Sequence, residues 1–139
     1  DEDINLIFDL LAFLESYSVH LAAKKISREQ LKELKAIEAE LEAGDALDDT
    51  LFLDTNARFH ALLHDIAGSR LLRRLIDQVI SFPMLFYLKA GVHTEHQTAA
   101  REHRDIIAAL ESGSPTYSAL KMRVHTETVR EQYKQSLGE

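Results

Sequence analysis

Residues 27–44 read SREQLKELKAIEAELEAG and carry the clearest amphipathic helix pattern in the chain. Ser27 is a residue type that caps helices, and Gly44 is a typical helix end. The apolar residues recur at spacings of three and four, with Lys and Glu on the outer face. They are Leu31, Leu34, Ile37 and Leu41. The stretch therefore predicts a helix with one face in a core.

The composition of the whole chain extends this prediction to an all-α fold. Its 139 residues are the length of one domain, and 45% of them are hydrophobic, which is enough for a core. It has five Gly and two Pro, whereas a strand-rich fold needs frequent turns. We therefore expect a single domain spanning residues 1–139, built as an antiparallel bundle of six to seven helices.

Apolar periodicity and end signals predict five further helices. They run from about Ile4 to Lys24, Thr50 to Ala67, Ser69 to Lys89, Thr94 to Glu111 and Pro115 to Gln135. The fourth predicted helix is apolar nearly all round, which is typical of a helix inside a bundle or at a subunit interface. Pro83 lies inside it and should kink or split it.

Charge and cysteine content exclude several classes of function. The formal net charge is -7, so the chain lacks the basic surface by which proteins bind DNA or RNA. It has no cysteine, so a metal must be held by His, carboxylate or amide oxygen. No apolar run predicts a membrane span, and no signal peptide is visible. We therefore expect a cytoplasmic protein without membrane contact.

Three histidines on three separate predicted helices are the candidate functional residues. His60, His103 and His125 each have apolar neighbours three, four or seven residues away, so each should point inward. Asn56 lies one turn before His60 and can reach the same ion. Imidazole is a common ligand of transition metals. The pattern predicts a divalent metal at Asn56, His60, His103 and His125. Zinc is favoured over nickel, manganese or iron, and an open position remains for a ligand carboxylate.

The stretch Asn56-Ala57-Arg58-Phe59-His60 resembles the D/N-x-x-F-H motif of a known family. That family is the FadR-type C-terminal domain, or FCD domain, of GntR-family transcription regulators. Further stretches resemble the family's motifs in the same order along nearly the whole chain. They are Leu14-Glu15, Leu21-Ala22-Ala23, Ala67-Gly68-Ser69, Glu102-His103-Arg104 and Ala119 with Met122 and His125.

The resemblance implies a regulator rather than an enzyme. Its domains are helical bundles that sense a small metabolite, usually a carboxylate. Many hold a divalent metal through an Asp or Asn and three His, which by position are Asn56, His60, His103 and His125. The resemblance also implies homodimers and a winged helix-turn-helix domain before the bundle. We expect this chain to lack that domain and to meet DNA only through it.

The chain departs from the family pattern at three positions. Asn56 stands where many members have Asp, and a neutral oxygen should bind metal less tightly. Ser69 replaces an Asn, a change of helix cap. Leu11 occupies the position at which many members carry an Arg that can clamp an effector carboxylate. Another residue should therefore bind the effector.

Three polar residues are candidates for that effector-binding role. Gln78 and Ser81 lie on the apolar fourth helix, where hydrogen bonding inside the bundle is the alternative role. His96 lies seven residues before His103 and could face the same cavity. The other histidines, His64 among them, are interpreted as packing or solvated residues.

Two alternative functions remain open. The adjacent His64-Asp65, near His60, would suit a metal-dependent, all-helical phosphohydrolase. However, Asp65 should project about 100° away from His64 on a helix, and no general base is obvious. The third interpretation is a metal-free helical interaction module.

Overall fold

The computed structural model describes residues 2–45, 48–79 and 96–138, and over these ranges it contains helices and no strands. The helices are α1 (Glu2–Ala23), α2 (Arg28–Ala43), α3 (Asp49–Ala67), α4 (70–79), α5 (His96–Glu111) and α6 (Pro115–Leu137). The predicted all-α fold of six helices is confirmed.

The helix ends follow the capping residues that the sequence predicts. The Ser27 hydroxyl accepts the Gln30 backbone N–H at 3.1 Å, and the Gln30 side chain accepts the Ser27 N–H at 2.9 Å. Ser114 caps α6, with Pro115 in the first turn. Gly68 ends α3 at φ 71°, a left-handed conformation that favours glycine. Local chemistry thus sets where these helices begin and end.

Ion pairs between helices show that neighbours run antiparallel, since Lys35 and Glu42 of α2 pair with Glu111 and Arg104 of α5, respectively. Asp9, early in α1, pairs with Arg130, late in α6, at 2.6 Å. Five helices send side chains into one core. Its buried members are Val19, Leu34, Ile37, Phe59, Leu63, Ile106, Ile107, Leu110 and Met122. Fully burying a side chain such as Phe59 stabilises the fold by about 1.5–3 kcal/mol relative to leaving it exposed.

Helix α1 corrects one expectation. Its stretch Asp3–Ala23 has a mean hydropathy of 1.4 and is long and apolar enough, by length and composition alone, to cross a membrane. The expectation that no run approaches that length is wrong. The core helix of a globular domain meets the same criterion, and α1 packs against α3 and α6 through Phe8, Ala12 and Val19. This packing explains the apolar residues on the inner face of α1, whereas other large apolar side chains of the helix, such as Leu6 and Phe13, are exposed.

Helix α4 is less buried than its sequence suggested. Ser69 caps it by accepting the Leu72 N–H at 3.2 Å. Leu72 is buried, whereas Leu71 is 70% exposed and Leu75 is 41% exposed. An exposed leucine pair is less typical of a helix inside a bundle than of one at a subunit interface. The predicted continuation to residue 89 and the kink at Pro83 lie outside the described residues.

Candidate metal centre

Three of the predicted metal ligands meet in the core. His60 comes from α3, His103 from α5 and His125 from α6, and all three are buried. Their ring centroids lie 4.8–5.5 Å apart. One ligand nitrogen from each lies within 4.8 Å of the others, and the Nε2 atoms of His103 and His125 are 3.3 Å apart. Nitrogens bonded to one zinc ion at about 2.0–2.1 Å lie roughly 3–4 Å apart. The cluster therefore has the dimensions of a metal site.

Packing holds the rings in this arrangement. The Phe59 ring stacks on His103 with centroids 4.1 Å apart and planes 7° apart. Phe59 also meets His60 edge-on at 5.7 Å. Because Phe59 is fully buried, neither imidazole can rotate freely without disturbing the core.

Two carboxylates hold the outer nitrogens of two of these histidines. Glu38 Oε1 lies 2.7 Å from His103 Nδ1, and Glu102 Oε2 lies 2.8 Å from His125 Nδ1. The Thr128 hydroxyl donates to the other oxygen of Glu102 at 2.6 Å. When both Nδ1–H groups donate to carboxylates, both Nε2 lone pairs face the same point. Metal sites use this arrangement to fix the histidine tautomer.

Burial sets the charge of these groups. It lowers the pKa of His103 and His125, so both imidazoles are neutral at pH 7, as metal ligation requires. Burial raises the pKa of Glu38 to about 7, and the Arg104 guanidinium opposes that rise. In the tautomer in which both Nδ1 atoms donate to carboxylates, the two Nε2 lone pairs face each other at 3.3 Å and repel, and a cation between them relieves the repulsion.

A second set of buried ligands adjoins the first. Glu15 of α1 is 2% exposed, and its Oε2 lies 2.8 Å from His64 Nε2 and 3.7 Å from His60 Nδ1. Burial alone would raise the pKa of Glu15, but His60 and His64 beside it hold that pKa well below its ordinary value. The carboxylate is therefore charged inside the core.

The other predicted site residues lie elsewhere or are only partly described. Asn56 is half-buried on α3, one turn before His60, and its role as a ligand stays a prediction. Gln78 is exposed on α4, and Ser81 lies outside the described residues. His96 is buried at the start of α5. The effector-binding roles of these last three also stay predictions.

His96 lies beside a cleft that does not include the three-histidine cluster. Its ring stacks on Phe52, with centroids 4.2 Å apart and planes 7° apart, and its Nε2 lies 3.1 Å from Asp49 Oδ1. It lines a cleft of about 370 Å³ together with Leu41 and Arg104 of α2 and α5. This cleft could hold a small molecule without using the three-histidine cluster.

The carboxylates that contact the histidines were not predicted from the sequence. Glu15 lies four residues after Leu11 and four before Val19, on the buried stripe of α1. Glu38 likewise follows Leu34 by four residues on α2. The position of a carboxylate on an apolar helix stripe was thus the signal that could have identified these partners. His64, which the sequence did not single out as a ligand, also belongs to this buried polar cluster.

The geometry does not support a phosphohydrolase. His64 points into the core toward Glu15, whereas the Asp65 side chain is 73% exposed and pairs with Arg73 at 3.0 Å. Asp105, the other acidic residue that a phosphohydrolase site could use as a distant ligand, has a side chain that is 55% exposed and lies 3.7 Å from Lys121. The His-Asp pair therefore does not converge on one ion.

Comparison with known proteins gives a family match and a match of fold. Residues 6–128 match the model of the FCD domain family. The fold is similar to that of E. coli McbR/YncC, with a TM-score of 0.82 and 17% sequence identity. That match covers 97% of this chain and 66% of the other, so the chain spans just under two thirds of that protein's length. No match was found among curated protein sequences.

Proposed function

We propose, because this chain belongs to the FCD domain family, that it is the ligand-sensing domain of a GntR-type transcription regulator. In this proposal it is cytoplasmic, carries out no catalysis and controls a winged-helix domain attached to it. The observation that carries the proposal is the convergence of three buried imidazoles, His60, His103 and His125, at one point of the core. The net charge of -7 fits a domain that leaves DNA contact to another domain.

The donor set fits a divalent transition metal. His60, His103 and His125 would supply nitrogens, and Asn56 would supply an amide oxygen. A bound zinc, nickel, manganese or iron ion would offer an open coordination position to an anionic ligand. With this ion alone bound, an amide and three imidazoles are neutral ligands, so the ion keeps its positive charge to attract that anion. Glu38 and Glu102 orient two of these imidazoles through their Nδ1 atoms, on the side opposite the proposed ion.

The proposed effector is a small carboxylate. Leu11 is buried among apolar residues of α1 and offers no positive charge. In this proposal the attraction for a carboxylate comes from the metal ion held by the histidine cluster rather than from this position. A ligand held between α3, α5 and α6 would favour one arrangement of these helices over another, by its difference in affinity for the two.

The proposal predicts a stabilisation by carboxylates that depends on metal. A small carboxylate at 100 times its Kd should stabilise the metal-loaded protein by about 2.7 kcal/mol and leave the metal-free protein unchanged. Differential scanning fluorimetry with a panel of small carboxylates, with and without added Zn²⁺, measures this difference. His103→Ala serves as the site-directed control and should respond to no member of the panel. Equal stabilisation with and without metal would contradict the sensor proposal.

The carboxylates behind the ligands should tune metal affinity. Glu38→Gln and Glu102→Gln are each expected to weaken Zn²⁺ binding by roughly 10–100-fold, because a neutral amide holds the imidazole less firmly. Glu33→Gln, an exposed change on the same helix as Glu38, is the matched control. Competition with a chromophoric chelator measures the three dissociation constants. Unchanged affinity in both site variants would remove Glu38 and Glu102 from the metal centre.

We also propose that the domain is a homodimer joined through α1. One face of α1 exposes large apolar side chains at spacings of three and four residues. They are Leu6, Leu10, Phe13 and Tyr17, each between 45% and 63% exposed. Exposed apolar surface of this extent on one helix face is typical of a protein interface.

A further inference from the structure

Glu15 and His64 form a buried pair that the proposed three-histidine site does not use. Glu15 reaches into the core from α1, and His64 lies one turn after His60 on α3. The two side chains are 2.8 Å apart, although the residues are separated by 49 positions in the sequence. Both are buried from solvent. A buried carboxylate is costly unless a positive charge or several hydrogen bonds compensate it.

Hydrogen bonds do not fully compensate this group. Within the described part of the chain, Glu15 Oε1 and His60 Nδ1 are buried atoms without a hydrogen-bond partner. His60 Nδ1 lies 3.7 Å from Glu15 Oε2, slightly beyond hydrogen-bond range. Two buried polar atoms thus remain unsatisfied at the same place, where a cation would bind both.

We propose that Glu15, His60 and His64 form a second position for a divalent transition metal, adjacent to the three-histidine site and sharing His60 with it. One ligand atom from each residue lies within 4.8 Å of the other two. One carboxylate and two imidazoles are a donor set that zinc and iron(II) both accept. This position is independent of any effector role for the domain.

His60 can serve both positions because imidazole has two nitrogens. Its Nδ1 lies on the Glu15 side, which leaves Nε2 for the other ion. Binding of both ions removes the ring proton to solvent and makes His60 an imidazolate. Three carboxylates, those of Glu15, Glu38 and Glu102, contact the histidines of the two sets. Of these carboxylates, Glu15 lies at the second position and is charged inside the core, which favours a cation there.

Metal stoichiometry tests this second position. Untagged, metal-free protein is loaded with Zn²⁺, freed of excess by gel filtration and analysed by inductively coupled plasma mass spectrometry. Wild type should hold two ions per chain. Glu15→Gln, which keeps the shape of the side chain and removes its charge, should hold one. His64→Ala and His125→Ala should each hold one, and the His64→Ala/His125→Ala double variant none. Cobalt(II) absorption spectra should differ between Glu15→Gln and His125→Ala, because different ligands remain.

The variants distinguish an ion at the second position from an ion at the three-histidine site. Should wild type hold a single ion that Glu15→Gln keeps and His125→Ala loses, the second position is overturned. A single ion that His125→Ala keeps and Glu15→Gln loses would support the second position and overturn the first. Two ions retained in both Glu15→Gln and His64→Ala would place the second ion elsewhere and also overturn the inference. Circular dichroism confirms that each variant is folded.

Discussion

His103→Ala is expected to lose the ion held between His60, His103 and His125, together with the stability which that ion confers. A ligand that binds the folded state alone, at a free concentration 1,000 times its Kd, stabilises it by about 4 kcal/mol. For a domain of this size that is a shift of roughly 10 °C in melting temperature. His103 is fully buried and its Nε2 faces His125, so the variant removes a nitrogen from the point where the three imidazoles meet. Calorimetry with and without Zn²⁺ measures the shift.

The comparison must use the metal-dependent difference rather than the absolute melting temperature. Removal of the His103 ring leaves the buried Glu38 without its partner and destabilises the metal-free protein as well. His20→Ala is the matched control. His20 stacks on Tyr17 at 6.1 Å and contributes to neither cluster, so its variant should keep the full shift. A His103→Ala protein with the wild-type shift would refute the assignment of this ligand.

Phe13→Glu is expected to convert the proposed dimer into a monomer. Phe13 is 63% exposed in one chain and stacks on Tyr17 at 6.5 Å, in the middle of the apolar face of α1. A charge buried at an interface without a partner costs several kcal/mol, and central aromatic residues often contribute 2 kcal/mol or more to association. Sedimentation velocity at micromolar concentration should show the mass fall from twice 15.8 kDa to 15.8 kDa.

Two variants control for nonspecific effects of this change. Phe13→Leu keeps an apolar side chain and should remain a dimer. Ala36→Glu places the same charge at an exposed residue of α2, away from the apolar face of α1, and should also remain a dimer. A wild-type protein that sediments as a monomer throughout the concentration range would refute the dimer, and a dimeric Phe13→Glu protein would refute the α1 interface.

Local signals predicted the fold because helix ends depend on neighbouring residues. Helix caps act within one helical turn, so a short stretch of sequence is sufficient to predict where a helix begins. Ser27 with Gln30 and Ser114 with Pro115 are two such caps. The inward direction of His60, His103 and His125 followed from the same short-range periodicity. Their convergence was a further step, supported by the family resemblance as well as the pattern.

The contacts behind the histidines could not be predicted in this way. The pair of Glu38 with His103 joins residues 65 positions apart, and the pair of Glu15 with His64 spans 49 positions. Such pairs depend on which helices become neighbours and how each is rotated. Glu15 and Glu38 are ordinary surface residue types, and only their place on a buried stripe distinguishes them. Helix periodicity shows that a carboxylate points inward but not which imidazole it meets.

Burial of the histidine cluster has a kinetic consequence. His103 has no exposed surface, His125 is 4% exposed and His60 is 9% exposed. Rings with so little exposed surface are also inaccessible to a dissolved chelator or metabolite. Either molecule can reach them only when α3, α5 and α6 separate transiently. Entry into such a core is limited by the opening rate of the protein rather than by diffusion. For the proposed sensor, arrival of the metabolite and movement of the helices are thus one event rather than two.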